Sequence, residues 1–155
     1  IGILASVVLA SLNTARAKGS DAAIKADLAG VRASAEVEFD TLGNKYSKTG
    51  VTIAAACSTL TGATAANTIF ENASIQNALA HANTQAGADS DCGVTDIGDA
   101  YSIASPLKTA NTAWCIDSTG IARSTNAAGT PYDAVIAGGS AVAPAHDVVG
   151  STTCN

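Results

Sequence analysis

The chain has no methionine, only three prolines, and just one tryptophan, three tyrosines and two phenylalanines in 155 residues. With so few large side chains, its core has to come from Ala, Val, Ile and Leu, which pack backbones closely but bury little apolar area each. A small domain built that way is marginal unaided, and exported folds of this size often draw on disulfides. Basic residues are scarce too. Eight Lys and Arg stand against thirteen Asp and Glu, for a net charge of −5. The cations run from Arg16 to Arg123 without a cluster. Nucleic acid and anionic lipid surfaces are held by clustered cations, so neither is expected as the main partner, and no direct nucleic-acid binding is expected.

Signals for chemistry are equally thin. No serine stands in a G-x-S-x-G setting, there is no C-x-x-C, and His81 and His146 lack zinc-ligand spacing. His146 precedes Asp147, but sequence neighbours point apart in an extended chain and make a poor relay. Catalysis needs convergent groups with tuned proton affinities. The chain is therefore not expected to be an enzyme, and no cofactor is expected. The best site candidate is the acidic stretch Asp89, Asp91, Asp96 and Asp99, because oxygen-rich loops can hold calcium. The Asp89-Ser-Asp91-Cys-Gly93 order departs from a calcium loop at its third ligand, and no Glu closes it. The stretch reads first as a solvated loop and only second as a metal site.

No apolar run reaches the roughly twenty residues that cross a hydrocarbon core. The nearest is residues 1–12, which carry no charge and hold Ile1, Ile3, Leu4, Val7, Val8, Leu9 and Leu12. As a helix they would rise only about 18 Å. The run is a poor match to a signal peptide, in which a cationic leader precedes the apolar stretch and a small-residue cleavage site follows it. From Asn13 the chain turns polar yet stays in helical register to about Tyr46. Ile24, Leu28, Val31, Ala35, Phe39, Leu42 and Tyr46 recur at spacings of three and four, the mark of one buried face. Residues 1–12 thus read as the second half of a longer hydrophobic helix, continuous with an amphipathic one. A helix over residues 1–46 would be about 69 Å long, more than a domain of this size is wide, so its free end must bury itself in something else.

Ile1-Gly-Ile-Leu-Ala-Ser-Val-Val-Leu-Ala10, followed by Ala15-Arg16-Ala17-Lys18, resembles the N-terminal segment of type IV pilins just after their hydrophobic start. The likeness covers about the first forty residues. Ala10 stands where many members have Pro, so a proline-set kink is not implied, and Gly2 remains the weak point of the rod. Such subunits begin with a Phe and carry a Glu a few residues in; residues 1–12 hold neither, so the family's usual assembly contact is not assigned. The resemblance implies an α+β fold, a long N-terminal helix packed on a small antiparallel sheet. Residues 1–20 would be filament core and membrane anchor, and residues 21–155 the globular domain. It also implies partners: identical subunits in a helical filament, the inner-membrane pilus assembly machinery, and membrane lipid before assembly. The place implied is an extracellular cell-surface filament serving adhesion, motility or DNA uptake. A pseudopilin of a type II secretion system and a membrane-anchored extracellular binding module are the alternatives.

The rest of the chain is read from its residues. The even count and wide spacing of Cys57, Cys92, Cys115 and Cys154 point to two disulfides. Three pairings are open, and Cys57–Cys92 with Cys115–Cys154 is the one that closes each segment onto the next. A strand is expected over residues 51–53, a helix over residues 69–82 capped by Asn67 or Thr68, and a polar loop over residues 86–91. Strands are expected at residues 100–104, 112–116 and 121–124, the last two joined at Asp117-Ser-Thr-Gly120. The Trp114-to-Gly120 string also looks like a hairpin of small pilins. Val135-Ile136 is the one strand candidate after Pro131. Gly19 and Gly30 are either tolerated or mark close helix–helix approach, and Asn72-Ala-Ser74 matches a glycosylation acceptor.

Overall fold

In the computed structural model, residues 2–50, 53–109, 112–124 and 154 are described. The fold is α+β. A long helix α1 (Gly2–Thr41) is followed by strand β1 (Ile53–Ala56), helix α2 (Ala73–Ala86) and strands β2 (Asp91–Val94), β3 (Tyr101–Pro106), β4 (Ala113–Asp117) and β5 (Ala122–Arg123). The five strands pair antiparallel in chain order. Three short 3-10 turns, Cys57–Thr59, Gly62–Thr64 and Ile69–Glu71, lie between β1 and α2.

One core joins the two helices to one face of the sheet. The spacing of three and four along α1 buries Ile24, Leu28, Val31 and Ala35, and α2 supplies Ile75, Leu79 and Ala82. Cys92, Val94, Tyr101, Ile103 and Ile116 meet them from the strands. Successive strand residues face opposite ways, so Ala104, Ala113 and Cys115 form a second, smaller cluster on the other face, with Cys154. The disulfides follow this division. Cys57–Cys92 lies in the helix-side core and Cys115–Cys154 in the outer cluster. The pairing that closes each segment onto the next is therefore the one present.

Several elements fall elsewhere than the sequence pattern places them. α1 stops at Thr41, short of Tyr46, because Gly43 and Asn44 enter the left-handed region at φ 74° and 62°. The Asn44 amide donates to the Phe39 carbonyl at 2.8 Å, closing the last turn. The expected helix over residues 69–82 is two elements. Thr68 caps only the 3-10 turn, its hydroxyl accepting from the Phe70 amide at 3.1 Å. Asn72 caps α2, its side-chain oxygen accepting from the Ser74 and Ile75 amides at 2.8 and 3.3 Å. The buried face of α2 is Ile75, Leu79, Ala82 and Ala86. The polar loop ends sooner than expected, since Asp91–Val94 is a strand held on both edges. The first strand lies at Ile53–Ala56, later than residues 51–53, and Val135-Ile136 lies outside the described residues.

The exit from α1 is clamped by the rest of the domain. The Tyr46 amide donates to the Gly98 carbonyl at 2.7 Å, and its carbonyl accepts from the Ile69 amide at 2.9 Å. Gly98 sits so close to Ser47 that an added Cβ would lie 2.0 Å from the Ser47 carbonyl oxygen. Phe39, Tyr46 and Tyr101 form a row with successive ring centroids 4.7 Å apart, an arrangement that adds to the area they bury.

Candidate assembly helix

The candidate site is the part of α1 that leaves the domain. Its inner limit is Asp21, which is buried and accepts from the Lys108 amide at 2.6 Å and from the Thr109 hydroxyl and amide. This carboxylate fixes the β3–β4 turn to the helix. Farther along the same face, Lys25 lies 4.5 Å from the centre of the Trp114 ring, and the Arg32 guanidinium donates to the Ile121 carbonyl. Before Asp21 most of the described side chains open to solvent. Ser6, every residue from Val8 through Arg16, Lys18 and Gly19 are exposed.

The forty-residue helix is about 60 Å long, and nearly half of it, about 28 Å, precedes Asp21. Of the residues expected to drive assembly, Val8, Leu9 and Leu12 are 62 %, 61 % and 46 % exposed. Ile3, Leu4 and Val7 lie on the same helical backbone, and Ile1 lies outside the described residues. Chains seldom leave three neighbouring aliphatic side chains in water without a partner surface. No helix among the described residues is long and apolar enough to cross a membrane.

The aspartates of the calcium candidate do not converge. Asp89 accepts from the Ser58 hydroxyl and from the Asn83 amide nitrogen, and Asp91 opens β2. Asp96 and Asp99 lie past the far end of that strand, where Asp96 accepts the Ile97 amide and Asp99 the Thr95 hydroxyl at 2.6 Å. β2 separates the two pairs by about 10 Å. Among the described residues no group of three or more His, Cys, Asp or Glu could hold a metal ion. Asp91-Cys-Gly-Val94 looked like loop in the sequence, which is why the four aspartates read as one stretch.

Two polar features carry structural work the sequence did not signal. Asp117, fully buried, accepts from the Thr119 amide and hydroxyl, the Ile121 amide and the Cys154 amide, all within 3.1 Å. Arg123 donates to the Cys154 carbonyl, so Cys154 is held by its amide, its carbonyl and its sulfur. At the other end of the core, Tyr46 donates to Glu36 at 3.0 Å. Burial, that hydrogen bond and the Glu36 charge push its phenol up to about 12. Tyr101 is pushed up as well, by burial first and then by Glu36, with Arg32 opposing.

His81 is exposed and its Nδ1 lies 2.7 Å from Asp27, linking α2 to α1. His146 is outside the described residues. A groove of about 470 Å³ runs between α2 and the chain after β1. Its walls include Ser58, Thr61, Gln76 and Asn83 and no charged side chain. Asn72, the glycosylation candidate, already uses both ends of its amide, donating to Glu38 at 2.6 Å as well as capping α2. Comparison of the chain with protein-family models, curated proteins and solved structures finds no match.

Proposed function

We propose that this chain is a type IV pilin, a structural subunit that polymerises through its N-terminal helix into a cell-surface filament. The observation that carries the reading is the exposure of Val8, Leu9 and Leu12 on a helix whose inner half is the backbone of the domain core. Removing such residues from water is worth about 25 cal/mol per Å² of apolar surface. That gain is available in lipid before assembly and among neighbouring helices after it. The opening likeness to pilins over about forty residues supports the same reading, as does the α+β order of a long helix followed by an antiparallel sheet. The two disulfides suit a domain coating the outside of a fibre, where thiols oxidise. Adhesion, motility and DNA uptake are the roles such a fibre would serve.

Cryo-electron microscopy of the cell-surface fraction containing this chain is the decisive experiment. Helical filaments with α1 at the axis are expected. Discrete particles, or protein held singly in membrane, would end the reading in favour of an anchored module or a secretion piston.

A further inference from the structure

No residue of α1 lines the groove between α2 and the chain after β1, so burial of the apolar tip gives it no occupant. Its floor is apolar, formed by the buried side chains of Leu60, Phe70 and Leu79. Its rim is amide and hydroxyl, carried by Thr61, Gln76 and Asn77. At about 470 Å³ it falls within the size range of small-molecule sites. The walls are fixed before any ligand arrives. Cys57 is tied to Cys92 by a disulfide. The 3-10 turns close on themselves, the Leu60 amide donating to the Cys57 carbonyl at 3.1 Å and the Thr64 amide to the Thr61 carbonyl at 3.2 Å. Asn83 is held at the other side, donating to Asp89 at 2.5 Å and accepting from the Ser90 amide at 2.9 Å. A site preformed in this way loses little to ordering itself on binding.

Polar capacity is left over along the rim. The Gln76 Nε2 donates to the Phe70 carbonyl at 2.9 Å. That bond fixes which end of the amide is which, and it leaves Oε1 as an acceptor with no partner among the described residues. Asn77 is exposed and makes no hydrogen bond among them. α2 itself needs neither group, since Asn72 caps it and Ile75, Leu79, Ala82 and Ala86 form its buried face.

These features restrict what the groove takes. No charged side chain lines it, so a charged ligand would give up hydration without a counter-charge. A wholly apolar ligand would strand the Gln76 oxygen away from water. A peptide strand finds no edge to extend, because one wall is a helix and the amides of Leu60, Thr61, Thr64 and Ala65 in the other are already bonded. A hexose ring meets each demand. Its C–H face suits the floor, and its hydroxyls both donate and accept, matching an oxygen that only accepts and an amide that does both. We propose that this groove is a binding site for a neutral glycan, its ring laid on Leu60, Phe70 and Leu79 and its hydroxyls bonded to Gln76, Asn77 and Thr61. From Gln76 to Asn83 α2 rises about 10 Å, which gives room for a disaccharide.

The test is an amide-resolved NMR titration of the full-length protein, dispersed in a detergent without a sugar headgroup, with cellobiose, lactose and maltose. At least one of the three should give saturable shifts at Thr61, Gln76, Asn77 and Ala80. Asn77→Ala should weaken that binding at least threefold and Ala80→Trp, which fills the groove, at least tenfold. Both positions are exposed, so both variants should keep the parent's melting temperature. No saturable shift with any of the three at tens of millimolar, or shifts that survive Ala80→Trp, would overturn the site. Equal shifts from glucuronate, or from the neutral peptide N-acetyl-trialanine amide, would overturn the choice of a neutral glycan. Because no α1 residue lines the groove, each of these outcomes leaves polymerisation through α1 as it stands.

Discussion

Asp117 accepts the backbone amide of Cys154 at 2.8 Å from inside the outer cluster of the sheet. The same carboxylate organises the β4–β5 turn through Thr119 and Ile121. One buried side chain therefore ties a local hairpin to a residue 37 positions away. Asp117→Ala would leave four donors without their acceptor, the buried Cys154 amide among them. We expect a loss of about 2–3 kcal/mol, read as a melting-temperature drop of roughly 5–10 °C for a domain of this size. A drop no larger than that of an exposed control such as Asp40→Ala would show that water replaces the carboxylate without cost.

The Cys115–Cys154 bridge works on the same segment and closes a loop of 39 residues. On the chain-entropy account such a bridge is worth about 4 kcal/mol, through restriction of the unfolded chain. Cys115→Ser with Cys154→Ser should lower stability by that order, and by more than an equivalent cut in the Asp117 contacts. Native protein should also take up no thiol label before reduction, since the described residues hold no free cysteine. Labelling of native material at any of the four positions would remove the disulfides from the account.

Gly98 lies tight against the chain leaving α1. Its φ of 72° lies in the left-handed region, and a Cβ there would collide with the Ser47 backbone. Gly98→Ala should cost at least about 3 kcal/mol, more than the strain of the φ alone. Gly120 offers the comparison. It has a similar φ of 92° but open space around it, so Gly120→Ala should cost only the conformational part, about 1 kcal/mol. Equal losses at the two sites would contradict the close approach of the β2–β3 turn to the chain leaving α1.

Much of this fold is legible in the sequence, and the parts that are not share a physical reason. Ile24, Leu28, Val31 and Ala35 announce the buried face of α1 because a helix repeats its face at short range. Asp117-Ser-Thr-Gly120 announces a hairpin because the turn needs a positive φ, and Gly120 supplies it. Asp91-Cys-Gly-Val94 announces nothing, because its strand character comes from β1 and β3 on either side. The burial of Asp21 and Asp117 has no local signal, because it depends on amides brought from positions 108, 109 and 154. The exposure of Val8, Leu9 and Leu12 follows from their sequence, since no domain of this length could cover a helix so long.

Alkaline pH should act through the two raised phenols. In the unfolded chain a tyrosine loses its proton near pH 10, whereas Tyr46 in the fold holds its own to about pH 12 and Tyr101 beyond. The folded state therefore binds more protons in that window, and stability falls as pH rises through it. The slope is at most about 1.4 kcal/mol per pH unit for each tyrosine. Below about pH 9 the two should contribute none. Urea denaturation from pH 8.5 to 11.5 should show a shallower decline in Tyr46→Phe, and a parallel decline would mean that other groups set it.

The strongest prediction concerns what the outer half of α1 does not do. Among the described residues of α1, Asp21 is the first that is buried, and those in the helix-side core begin at Ile24. Deleting residues 1–12 should then change the unfolding free energy of the domain by less than about 1 kcal/mol, an effect no larger than fraying of a helix end. The same deletion removes Val8, Leu9 and Leu12, and with them the aliphatic surface that disfavours a dispersed chain in water. The truncated protein should sediment as a monomer without detergent and keep the melting temperature of the parent. A truncated protein that still forms large assemblies would place the main interface on the domain itself. One that unfolds would mean the outer helix supports the core in a way the burial along α1 gives no reason to expect.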